Sequence, residues 1–66
     1  MPSTVISYFT YNSETEVLRI RFVSGLIYDY KDVPEQVYIA MKESRSKGVF
    51  FNKYIKDKYQ FTKIGE

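Results

Sequence analysis

Neither cysteine nor histidine occurs anywhere in the 66 residues. Without thiols the fold has no disulfide staple, and without either residue type a structural zinc site lacks its usual ligands, so no metal and no cofactor is expected. The same two absences remove the nucleophile and base pairs on which hydrolase triads and thiol enzymes depend. Only three glycines are present, and neither a Walker A motif nor a dinucleotide glycine fingerprint can be found. Tryptophan is missing, proline occurs twice, and no apolar run approaches the roughly 20 residues of a membrane-spanning helix. The stretch from Met1 to Tyr11 lacks the charged-then-apolar plan of a signal peptide. A cytoplasmic protein with no membrane role and no enzymatic activity is the expectation.

Aromatic and charged side chains fill the space left by these absences. Seven Tyr and five Phe make 18% of the chain, in a composition of 44% hydrophobic and 27% charged residues. Those values are ordinary for a globular protein, so residues 1–66 are expected to fold as one domain. A chain this short buries a smaller share of its surface than a larger one, so most of its rings are needed to build the core. The eight carboxylates, Glu14, Glu16, Asp29, Asp32, Glu35, Glu43, Asp57 and Glu66, fall mostly in turns or on solvent faces. They read as surface charge rather than as an acid/base pair.

Periodicity divides the chain into elements. From Thr4 to Tyr11 the residues are β-branched or aromatic apart from one serine, and Asn12 to Thr15 is a turn-forming cluster. Strict alternation from Glu16 to Phe22 puts Leu18, Ile20 and Phe22 on one face and Val17, Arg19 and Arg21 on the other. Gly25 supplies a residue able to take positive φ, and Leu26 to Tyr30 resumes the alternation, completing a three-strand meander. The period then lengthens: Pro34 is suited to a helix start, and Val33, Val37, Ala40 or Met41, and Ser44 share a face. Ser46 is placed to cap a second helix whose inner face carries Phe51 and Ile55. After it, Tyr59, Phe61 and Lys63 alternate with Gln60, Thr62 and Ile64, which makes the tail a strand or an extended segment. The fold class expected is α+β, an antiparallel β-meander with two helices packed on one face and a C-terminal strand or extended tail. Its core is predicted as Leu18, Ile20, Phe22, Tyr28, Val37, Met41, Phe51 and Ile55.

Charge is distributed unevenly. Residues 1–33 carry three basic and four acidic groups, whereas seven basic side chains face only Glu43 and Asp57 between Lys42 and Lys63. Such a local excess suits a polyanion, and equally suits a solvated helix face that keeps a small protein soluble. The candidate nucleic-acid contacts are Lys42, Arg45, Lys47, Lys53, Lys56 and Lys58. At the start of the second helix, Ser46 and Gly48 form a candidate anion site of unpaired backbone amides, with helix capping and helix packing as the simpler account. Phe50 and Tyr54 lie four residues apart and define a second aromatic edge beside the Phe51 stripe, available for base stacking, for a protein contact or for packing on the strands. Asn52 beside them can cap a backbone group or read a base edge.

Three runs carry a resemblance: Phe22-x-x-Gly25-x-x-Tyr28-x-Tyr30, then Val33-Pro34-x-x-Val37-Tyr38, then Ser46-x-Gly48-x-Phe50-Phe51-Asn52-x-x-Ile55-x-x-x-Tyr59. In this order and spacing, over nearly the whole chain, they closely resemble the KTSC domain family. Ser44 departs from the family pattern, which usually has alanine two residues before the serine of S-x-G; a small residue is kept. The resemblance implies a compact α+β module of the kind found at the C-terminus of some lysyl-tRNA synthetases and as free-standing bacterial and phage proteins. It further implies no established catalytic residues and, from the company of a synthetase, a role in binding RNA. A non-catalytic module that binds RNA or single-stranded nucleic acid is thus the leading expectation, with a protein-interaction or adaptor module as the alternative. A monomer is expected rather than a homodimer, although an open sheet edge keeps the second within reach.

Overall fold

The computed structural model describes residues 6–65. Four strands, β1 (Ile6–Asn12), β2 (Val17–Phe22), β3 (Ile27–Tyr30) and β4 (Phe61–Gly65), form one antiparallel sheet in the order β1-β2-β3-β4. Helices α1 (Glu35–Glu43) and α2 (Lys47–Tyr54) lie in the connection between β3 and β4. The tail is therefore a strand. Thr4 and Val5, predicted to open the first strand, lie outside the described residues.

Local chemistry accounts for each turn. Asn12 Oδ1 accepts from the amides of Glu14 (2.9 Å) and Thr15 (3.3 Å), which closes the β1–β2 loop with a side chain in place of a backbone carbonyl. The loop ends at Glu16, a non-glycine residue at φ 57°. Between β2 and β3 the Gly25 amide donates to the Phe22 carbonyl and the Phe22 amide to the Leu26 carbonyl, both at 2.9 Å, with Gly25 at φ 101°. This is a three-residue hairpin loop whose last position is left-handed, the reason a glycine stands there. In β1, Ile6 pairs with Phe22 but Tyr8 pairs with Arg21, so Ser7 is an extra residue in a bulge. The bulge puts Ile6 on the same face as Phe9 and Tyr11, packed against the core.

Five of the eight predicted core residues, Leu18, Ile20, Met41, Phe51 and Ile55, are buried, together with Tyr30 and Val33. Phe22, Tyr28 and Val37 are half-buried and pack against that cluster. Helices of nine and eight residues, about 13 Å long, cover the centre of the inner face and leave its margins partly open. Val33 precedes α1 rather than belonging to its apolar face. Its burial is possible because both its backbone groups are satisfied: its amide donates to the Glu16 carbonyl (2.9 Å) and its carbonyl accepts from the Tyr11 hydroxyl (2.6 Å). Partial burial, with the carboxylates of Glu16 and Glu35 nearby, raises the Tyr11 phenol above its ordinary value. Burial, followed by the influence of Tyr28 and Asp57, pushes the Tyr30 phenol up to about 12.

Rings hold the layers together. Phe51 meets Phe22 and Tyr30 edge-on, with centroids at 5.5 and 5.3 Å. Toward the β1 edge of the same face, Tyr38 of α1 stacks on Tyr11 at 4.9 Å and meets Phe9 edge-on at 5.8 Å. Phe61 of β4 lies against Tyr28 and Tyr30 at 5.0 and 5.4 Å, closing the core at the sheet edge. Edge-to-face and offset pairs of this kind contribute about 0.5–1.5 kcal/mol each beyond the area they bury.

Candidate nucleic-acid interface

The second helix begins as its sequence requires. Ser46 is the N-cap, and its hydroxyl accepts from the Val49 amide at 3.2 Å, which satisfies one of the amides offered to an anion. Gly48 sits in the first turn, half-buried. The helix ends by winding down: the Phe51 carbonyl accepts from the amides of both Ile55 (3.0 Å) and Lys56 (2.9 Å), so Ile55 is the C-cap rather than an interior residue.

The six candidate cations fall into different settings. Lys47 is tied back to α1: its ammonium donates to the carbonyls of Lys42 (3.0 Å) and Ser44 (2.7 Å), where the negative end of the α1 dipole and unpaired carbonyls coincide. Ser44 completes that C-terminus, its hydroxyl donating to the Met41 carbonyl at 2.8 Å. Lys42 holds its ammonium 5.5 Å from the centre of the Tyr38 ring, and Lys53 holds its own 6.0 Å from that of Tyr54. Arg45, Lys56 and Lys58 are exposed in the segments flanking α2. Among the described residues the one ion pair is Arg19 with Asp29 on the sheet, so none of the described carboxylates forms an ion pair with these six. Lys47 thus has a structural duty the sequence did not disclose. Replacing it with methionine, which keeps the stem but not the donors, is expected to cost about 1 kcal/mol in a urea titration, with Arg45→Met near zero as comparison.

Phe50 and Tyr54 form the expected pair, with centroids 4.8 Å apart and planes tilted by 43°. Phe50 is half-buried, while Tyr54 is 51% exposed. With Tyr59 they form one wall of a groove of about 590 Å³ between the two helices, whose other wall is Gln36, Val37 and Ala40 of α1 and its C-cap Ser44. No charged residue lines it. Asn52, also on α2, is exposed. The part of this groove contributed by Tyr59 and α1 was not recognised from sequence, because spacing along one helix says nothing about the ring a later loop brings back; the signal available was Tyr59 in the third motif.

The open face of the sheet is a second concave surface. Register places Thr10, Arg19, Asp29 and Thr62 in one row across the four strands, with Tyr8 opposite Arg21 beside it. Arg19 grips Asp29 with two hydrogen bonds, Nε to Oδ1 at 2.7 Å and an Nη to Oδ2 at 3.0 Å. That fork raises the Arg19 pKa further above its ordinary value and cancels its charge locally. The hollow of about 430 Å³ beside it, lined by Thr10, Asn12, Thr15 and Val17 among others, therefore offers polar groups but little net field. Among the described residues no group of three or more His, Cys, Asp or Glu side chains gathers as a metal site, and no helix is long and apolar enough to cross a membrane.

Comparison with known proteins places this geometry. The KTSC domain model matches residues 2–59. A lysine–tRNA ligase of Nostoc punctiforme is 41% identical over 61 residues, 92% of this chain and 11% of that protein. A second, from Trichormus variabilis, is 36% identical over 59 residues, 89% of the chain and 10% of the ligase. The chain thus spans about a tenth of the length of the ligases it matches. An uncharacterized protein of Stutzerimonas stutzeri is 32% identical over 65 residues, 97% of this chain and 92% of that one. The crystal structure of a KTSC domain protein from Yersinia pestis superposes with a TM-score of 0.86 at 35% identity, covering 98% of this chain and 90% of the other.

Proposed function

The chain belongs to the KTSC domain family, and from that premise we propose that it is a non-catalytic, cytoplasmic module, acting as a monomer, that binds RNA or single-stranded nucleic acid through its helical half. The observation that supports this most directly is that Lys42, Arg45, Lys53, Lys56 and Lys58 are exposed and in no ion pair among the described residues, on and beside the helices that carry the half-buried Phe50 and the exposed Tyr54. Unpaired ammonium and guanidinium groups hold phosphates, whereas the Arg19 charge is already answered by Asp29. Similarity to part of two lysine–tRNA ligases, proteins named for a tRNA substrate, is in keeping with an RNA ligand. The absence of cysteine suits a reducing compartment.

Titration with a short mixed-sequence RNA tests the reading. Backbone amide shifts are expected between residues 42 and 59, and affinity is expected to fall steeply as salt rises because bound phosphates release counterions. Shifts confined to the open sheet face, or no binding at low salt, would be the contrary result. One observation favours a second reading: the groove lining is uncharged, as a protein-interaction module would have it. Its signature is a protein partner whose binding on α1 and α2 survives high salt.

A further inference from the structure

We infer that the groove between α1 and α2 receives an unstacked base, so that the ligand is a single strand or a splayed loop and not a duplex. The inference rests on the nucleic-acid reading above and assigns the lysines and the groove different parts of the same ligand. Three rings, Phe50, Tyr54 and Tyr59, meet at this groove with Gln36, Val37 and Ala40 opposite, and its lining holds no cation to neutralise a phosphate, only the uncharged polar groups of Gln36, Ser44 and the two tyrosines. No lysine lines it, and Lys53 holds its ammonium 6.0 Å from the centre of the Tyr54 ring. That division, an uncharged groove rich in aromatic rings with the Lys53 ammonium at its edge, matches a nucleotide whose base is apolar on both faces and whose phosphate is not.

A duplex has no use for the recess, because its bases are stacked on one another and it presents phosphates, sugars and groove edges. An aliphatic peptide side chain would use the apolar floor, but gains nothing specific from rings and is not drawn by the unneutralised cations of the helical half. Tyr54 is the residue that separates these occupants. Half of its surface is free, so changing it leaves the core alone.

The probe is a short uridine-rich RNA carrying a single 2-aminopurine, whose fluorescence falls when the base stacks. Binding to the parent is expected to quench it. Tyr54→Leu, which keeps apolar area and removes the ring, is expected to weaken binding at least about fivefold and to relieve the quench, while the salt slope stays the same. Tyr54→Phe should bind like the parent, and a duplex of the same sequence should compete at least about tenfold less well. Salt-sensitive binding with an unquenched probe, or Tyr54→Leu equal to the parent, would overturn the base pocket while leaving phosphate binding by the lysines intact. No binding by the parent at low salt would remove both. Displacement of the quenched probe by duplex at equal concentration would overturn the single-strand assignment alone.

Discussion

Truncating Phe51 to alanine should cost about 3 to 5 kcal/mol, most of what a domain of this size has. The ring is 2% exposed and touches both Phe22 and Tyr30 edge-on, so its loss removes contacts between α2 and two different strands and leaves a hole no neighbour can fill. At about 0.05–0.15 kcal/mol per residue the whole domain has roughly 3 to 10 kcal/mol of stability, so the variant should be largely unfolded or should melt far below the parent. Tyr54→Ala, three residues on and half exposed, should lose about 1 kcal/mol or less. Circular dichroism through a urea titration measures both. Equal losses would mean that Phe51 and Tyr54 contribute alike to packing and that α2 presents a different face to the sheet.

The second large effect is on binding. Replacing Arg45, Lys53, Lys56 and Lys58 together by glutamine should reduce affinity for single-stranded RNA on the order of tenfold or more at moderate salt, and flatten the slope of log affinity against log salt by about 0.7 for each lost phosphate contact. Lys47 is left out of this set because its ammonium caps α1, so its removal would mix a stability loss into the binding result. The four chosen side chains are exposed, and the folded fraction should not change. Arg19→Gln with Arg21→Gln is the control on the opposite face of the sheet. If that pair abolishes binding and the quadruple variant does not, the ligand lies on the open sheet.

Much of this was legible beforehand because the signals were local. Alternation by two in residues 17–22, and the change of period after Pro34, report which side of an element meets water. The Ser46 cap and the Gly25 turn depend on one residue and its immediate neighbours. Less visible were the places where distant segments meet. Val33 is buried because Tyr11 and Glu16, in another hairpin, satisfy its backbone. Phe22, Tyr28 and Val37 have the right period for the core, yet the two short helices do not extend far enough to bury them fully.

By itself, then, the order of residues determined the meander, the two helices, the inward faces of β2 and α2, and the crowding of positive charge after residue 42. Each of these follows from periodicity, from capping chemistry or from counting, which need no partner far along the chain. Tertiary structure decided which of two alternatives the tail would take, pairing Phe61 with Tyr30 and Thr62 with Asp29 so that it became a strand. It also divided the cations, returning Lys47 to the end of α1 and pairing Arg19 with Asp29, while Lys53 was left beside an open ring. And it brought Tyr59 back to Phe50 and Tyr54 across from α1, making a groove from residues of three separate segments. A groove exists only where surfaces from different parts of the chain face each other, and periodicity within one element carries no information about that distance.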